Sequence, residues 1–234
     1  QLVMGVMVPL TAFLTRRFST RQIVICSMAV FTVGSLLAWL GPNFVWVLVG
    51  RVLEAAGTGV MWPVLQITVF SIYPLSRRGF AMGTVGMAMS VAPAIGPTLG
   101  GWQTDANGWR SIFLTMTIIG VVSLLAAMFG LHNFGSHDPS ARADFFSACL
   151  SVIGFGGLMF GFTNSETYGF AAPVTWGPMV VGLVGIVWFV LRNLRAGKRY
   201  REAAAKDESA LPQPPLLDLE VLKNRSFTVG TITA

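Results

Sequence analysis

Five stretches of this chain carry no formal charge over the length a helix needs to cross a bilayer: Ile23 to Leu40, Phe80 to Thr104, Ser111 to Leu131, Phe145 to Ser165 and Val174 to Leu191. A hydrocarbon core about 30 Å thick takes roughly 20 helical residues. In hydrocarbon every backbone N–H and C=O must be satisfied internally, which leaves helices or a closed barrel. A barrel would show apolar and polar residues alternating over roughly ten residues, and these runs are unbroken. The expected fold is therefore all-α, a polytopic transmembrane helical bundle. Composition agrees: 53% of the residues are hydrophobic and 11% charged, against about a quarter charged in soluble domains.

Two further spans are expected. Phe44 to Tyr73 is apolar except for Arg51 and Glu54, and Leu2 to Leu14 is too short to cross alone, so it reads as the tail of a longer helix. The chain opens on Gln1 with no initiator Met, charged leader or cleavage site, and closes on the apolar "SFTVGTITA". It reads as an internal fragment.

Basic residues set the expected orientation. If successive loops alternate sides, one side holds Arg16, Arg17, Arg21, Arg77, Arg78 and Arg142. It also holds the Lys and Arg of the segment after Leu191, which brings the total to fourteen of the sixteen. The positive-inside rule makes that side cytoplasmic, with the protein multi-pass in the cell membrane. The net charge of +6 is then a topology signal. Nucleic acid is not an expected partner, because the basic residues flank spans and no recognition module accompanies them. The stretch Arg192 to Arg225 mixes charge, Ala and Pro. It reads as a cytoplasmic connector with a helix extension, a flexible turn around Pro212 to Pro215 and a short amphipathic piece. Anionic lipid contact is the alternative to a solvated loop there.

Enzyme chemistry is not expected. Cys26 and Cys149 lie in different spans with no CxxC spacing, and His132 and His137 share one loop, so neither a metal site nor a Cys/His nucleophile is indicated. No GxxxxGK[ST] phosphate loop occurs. No cofactor is expected. "GFGG" at 154–157 reads as a small-residue helix contact.

Arg51 and Glu54 stand at i and i+3 and so share a helix face. Charge at membrane depth is costly, so the two should face a cavity or each other. The alternatives at this point are a static neutralising pair and a pair that handles protons.

The order of motifs resembles the drug:proton antiporter branch of the major facilitator superfamily, of the fourteen-helix type, over nearly the whole chain. "PLTAFLTRRFSTRQ" (9–22) is similar to the cytoplasmic motif after the second helix, and "GRVLEAAGTGVMWP" (50–63) to the arginine motif of the fourth. "GMAMSVAPAIGPTLGG" (86–101) is similar to the antiporter motif of the fifth helix, and "GWRSIF" (108–113) to the opening of the sixth. The resemblance divides the chain into residues 1–134, helices two to six of the N-terminal bundle with the first missing, and 135–191, two additional helices. The connector 192–225 and the start of the next helix, 226–234, follow.

The resemblance implies a secondary transporter exporting drugs or other amphipathic small molecules in exchange for protons, by alternating access. Its expected partners are a small-molecule substrate, protons, the lipid bilayer and the remainder of the same polypeptide. A proton-coupled nutrient importer and a non-transporting fragment or scaffold are the alternatives. Arg51 matches the arginine the family implicates in proton transfer, and Glu54 stands where many relatives have Gln. Gly86, Pro93, Gly96, Pro97, Gly100 and Gly101 form the antiporter motif, which the resemblance implies packs against its counterpart in the other half and disfavours leakage. Gly96 and Gly100 make a GxxxG at which another backbone can approach, and Pro97 removes a helical hydrogen bond. In the cytoplasmic motif Arg17 and Arg21 fit, but Ala12, Arg16 and Ser19 replace the usual Gly, Asp and Gly, so the usual ionic latch between half-bundles is not expected. Met61, Trp62, Gln66, Met87 and Met89 are the candidate substrate contacts, as pliable Met and aromatic surface.

Overall fold

A computed structural model of the chain describes residues 2–131, 145–170 and 172–205. Seven helices account for nearly all of them: α1 (Leu2–Arg17), α2 (Thr20–Leu40), α3 (Phe44–Ile72), α4 (Leu75–Asn107), α5 (Arg110–Gly130), α6 (Phe145–Tyr168) and α7 (Pro173–Ala205). No strand occurs among the described residues, as the unbroken apolar runs require. Five helices, α2 to α5 and α7, are long and apolar enough to cross a membrane. α6, at 24 residues, is about 36 Å long at 1.5 Å per residue. The connector beyond Ala205, the stretch 226–234 and both histidines lie outside the described residues.

Helix ends sit where the sequence supplies caps. Ser19 Oγ accepts from the Gln22 N–H at 3.3 Å, and Gln22 Oε1 accepts from the Ser19 N–H at 3.1 Å, a complete capping box starting α2. Ser19 is one of the departures from the cytoplasmic motif, and the cap is what it contributes. Asn43 caps α3 through the Trp46 N–H. α4 runs unbroken through Pro93 and Pro97 and stops at Gly108, whose φ of 78° only glycine takes without strain.

Hydroxyls inside these apolar helices are satisfied locally. Thr32, Thr68, Thr84, Ser90 and Thr117 each donate to the carbonyl four residues back. Such back-bonding lets a polar side chain sit in hydrocarbon without an orphaned group. Among the described residues, no buried side-chain nitrogen or oxygen lacks a partner.

The helices form two compact units, α2 to α5 in one and α1, α6 and α7 in the other. The sequence boundary at residue 134 groups α1 with the first set. In the structure α1 lies with α6, where a Cβ on Gly156 would come within 3.0 Å of the Val6 side chain. The pair α6 and α7 packs antiparallel on small residues. A Cβ on Gly157 would lie 2.9 Å from the Pro178 carbonyl, and one on Gly154 would lie 3.0 Å from the Ile186 nitrogen. This is the contact read from "GFGG". At one end Arg192 donates from Nε to Ser147 Oγ at 3.0 Å and lies over the Phe146 ring.

In the other unit α2 packs against both α3 and α5, and α4 touches α3 and α5. Glycines set the α2–α3 distance. A Cβ on Gly50 would fall 2.5 Å from the Gly34 carbonyl oxygen, and one on Gly57 would fall 2.5 Å from that of Ser27. Arginines close the α2–α5 pair at both ends. Arg21, at the start of α2, donates to the Met128 carbonyl at 2.8 Å, and Arg110, at the start of α5, donates to the Gly41 carbonyl at 2.9 Å. Arg78 does the same for α3, donating to the carbonyls of Phe70 and Tyr73. Each places a cation on the unpaired carbonyls at a helix C-terminus.

Candidate functional site

An ion pair joins the two charges of the arginine motif. Arg51 donates from Nη1 to Glu54 Oε2 at 2.8 Å. One turn of α3 brings them together, as the i, i+3 spacing requires. Their surroundings differ sharply. Glu54 is 4% exposed, wedged where α3 meets α2, whereas the Arg51 side chain is 63% exposed. The difference follows from their angles on the helix. Glu54 shares the buried face with Gly50 and Gly57, and Arg51 falls on its edge.

The second oxygen of Glu54 is also occupied. Ser35, on α2 and fully buried, donates to Oε1 at 2.6 Å, a length typical of a hydroxyl on a carboxylate. Both carboxylate oxygens therefore have a donor, one from each helix. Sequence reasoning named Arg51 and Glu54 but missed Ser35. The signal available was a hydroxyl beside Gly34 in an uncharged run, since a small pair marks where another backbone approaches.

Arg51 extends toward α5, where its guanidinium lies 6.0 Å from the Phe113 ring centroid. Phe113 meets Trp109 edge to face at 6.0 Å, and Arg110 lies over Trp109 at 5.2 Å. The "GWRSIF" motif thus forms the wall beside the exposed guanidinium. Gln103 on α4 donates to Thr115 on α5 at 2.8 Å.

The candidate substrate contacts scatter. Trp62 and Gln66, at i+11 and i+15 from Arg51, fall within about 60° of it around α3 at 100° per residue. Met61 lies off that stripe. Met87 and Met89 are both exposed on α4, but their spacing of two turns them about 200° apart, so one surface cannot use both. The antiporter glycines sit on α4 as expected, yet nothing among the described residues lies within 4 Å of a Cβ on Gly86, Gly96, Gly100 or Gly101. Close backbone approach occurs instead at Gly34, Gly50 and Gly57. Arg17 is exposed, and Arg21 holds the end of α5. The groups that could hold a metal number none among the described residues.

Residues 1–205 match the Major Facilitator Superfamily. The chain is 37% identical over 194 residues to the uncharacterized MFS-type transporter YcnB of Bacillus subtilis (strain 168), covering 83% of this chain and 41% of that protein. It is 33% identical to the MFS-type transporter YhcA of the same organism, over 99% of this chain and 40% of the relative. The chain is also 33% identical to the lincomycin resistance protein LmrB of Bacillus subtilis (strain 168), over 99% of this chain and 45% of LmrB. The chain spans less than half the length of these curated relatives.

Proposed function

This chain belongs to the major facilitator superfamily, and from that premise we propose that the whole protein exports drugs or other amphipathic small molecules in exchange for protons. Transport would proceed by rocking of helical bundles around a midplane site. The single observation that carries the coupling reading is the asymmetry of the Arg51–Glu54 pair. The buried carboxylate accepts a hydrogen bond on each oxygen, and the exposed guanidinium it anchors is the group open to substrate or water. Arg51 is therefore the coupling residue in this reading and Glu54 its counter-ion. The relationship to LmrB, whose name records lincomycin resistance, supports a drug-like substrate.

The open glycine face of α4 fits the same proposal. Gly96 and Gly100 meet nothing among the described residues, and the relatives are more than twice as long. The remainder of the polypeptide is the proposed partner of that face, with the basic loops cytoplasmic and the bundle in the cell membrane.

The test is ethidium efflux from cells expressing the full-length protein, with and without a proton uncoupler. Uncoupler-sensitive efflux that Arg51→Ala abolishes and Glu54→Gln lowers without abolishing supports the reading. Wild-type efflux indifferent to the uncoupler, or undiminished in Arg51→Ala, overturns it.

A further inference from the structure

We propose that Ser35 is a positioning residue for the Arg51–Glu54 pair: its hydroxyl fixes the Glu54 carboxylate so that Oε2 is presented to Arg51 and the guanidinium is held outward against Phe113. The inference rests on the coupling role of Arg51 proposed above. Hydroxyls elsewhere in these helices mostly turn back to their own i−4 carbonyl. Ser35 instead reaches across to Glu54 at 2.6 Å from a position with no exposure at all.

Geometry leaves the carboxylate little freedom without it. α2 and α3 approach so closely that a Cβ on Gly34 would lie 2.8 Å from the Glu54 nitrogen, so the Glu54 backbone is pinned against α2. The remaining freedom is rotation of the side chain about its own bonds. Arg51 alone cannot remove it, because a largely exposed guanidinium on a long stem is itself mobile. Ser35 supplies the second point of attachment, from a short side chain on the other helix. Two points fix the plane of the carboxylate, which fixes the direction from which Arg51 must approach. Moving α2 relative to α3 would therefore move the guanidinium, and Ser35 makes Arg51 responsive to the packing of that helix pair.

Ethidium efflux by the full-length protein tests this in four variants: Ser35→Ala, Glu54→Gln, the double variant and Arg51→Ala, each normalised to its amount in the membrane. Ser35→Ala removes only an oxygen, so membrane abundance should stay near wild type. Its maximum efflux rate is expected to fall about tenfold, the scale of one hydrogen bond to a charged acceptor, with KM changed less than about twofold because no substrate contact is lost. In the Glu54→Gln background the same substitution should change the rate by less than about twofold, since the carboxylate it positions is gone. Equal losses in both backgrounds, unchanged rate in Ser35→Ala, or no efflux at all in Glu54→Gln overturns the inference. Full efflux in Arg51→Ala overturns the coupling reading and this one with it. Lost efflux in Arg51→Ala beside additive effects of Ser35→Ala overturns the positioning role alone.

Discussion

Arg21 and Met128 are 107 residues apart in sequence, yet the guanidinium of one donates to the carbonyl of the other at 2.8 Å. Arg110 and Gly41 repeat the arrangement at the far end of the same helix pair. Because the two helices are antiparallel, each start lies beside the other's end, and one cation at each start serves the partner's unpaired carbonyls. Both side chains are exposed, so each contact is expected to contribute about 0.5–1 kcal/mol. Arg21→Ala and Arg110→Ala should each lower the melting temperature of the detergent-solubilised protein slightly. The two sites are separated by about 30 Å of helix, so the losses should add; a double variant much worse or much better than the sum would deny independent caps.

The α2–α3 contact predicts intolerance of a single methyl group. Gly50→Ala would press a Cβ onto the Gly34 carbonyl and the Ala38 side chain, an overpacking cost of about 1–3 kcal/mol or more. Gly57→Ala meets the Ser27 carbonyl in the same way. Thermal stability and membrane abundance are the measurements, and wild-type values for both variants would show that the helices part easily.

Gly96→Ala and Gly100→Ala should behave in the opposite manner when tested in this 234-residue chain. Neither Cβ meets an atom within 4 Å among the described residues, and replacing a helical Gly by Ala favours the helix by about 1 kcal/mol. Membrane abundance of the 234-residue chain should be unchanged or raised. In the full-length protein the same substitutions should lower ethidium efflux if the rest of the polypeptide packs on that face, so unaltered efflux would count against the proposed partner.

The Arg51–Glu54–Ser35 arrangement predicts unequal costs for its members. Glu54→Ala leaves the buried Ser35 hydroxyl and the guanidinium without their acceptor, and is expected to destabilise by about 2–4 kcal/mol. Arg51→Ala leaves one donor on the carboxylate and removes a mostly exposed group, at about 1–2 kcal/mol. Melting of the two variants in the same detergent checks the order, and a reversed order would remove Ser35 as the stronger anchor.

Sidedness can be read by thiol labelling of the full-length protein with its native cysteines, Cys26 and Cys149 among them, replaced by Ser. Pro42→Cys, between α2 and α3, should react with an impermeant maleimide in intact cells. Leu75→Cys, at the exposed start of α4, should react only after permeabilisation. The reverse pattern would invert the proposed orientation.

The all-helical class and the helices among the described residues were legible in the sequence because a bilayer tolerates few solutions. Uncharged runs of the right length had to become helices, and the structure places α2, α4, α5, α6 and α7 over them with ends moved by a few residues, except that α7 continues to Ala205. The pairing of Arg51 with Glu54 was also local, since three residues of helix fix the distance. What only the tertiary structure decided is which helices touch and at which residues. Ser35 and Glu54 are nineteen positions apart, and no periodicity links them; they meet because Gly34, Gly50 and Gly57 let two backbones approach until a serine can reach a carboxylate. The roles of Arg21 and Arg110 were hidden for the same reason. A basic residue beside a span reads as a topology signal, and its second task, holding the end of a neighbouring helix, exists only once that helix has packed alongside.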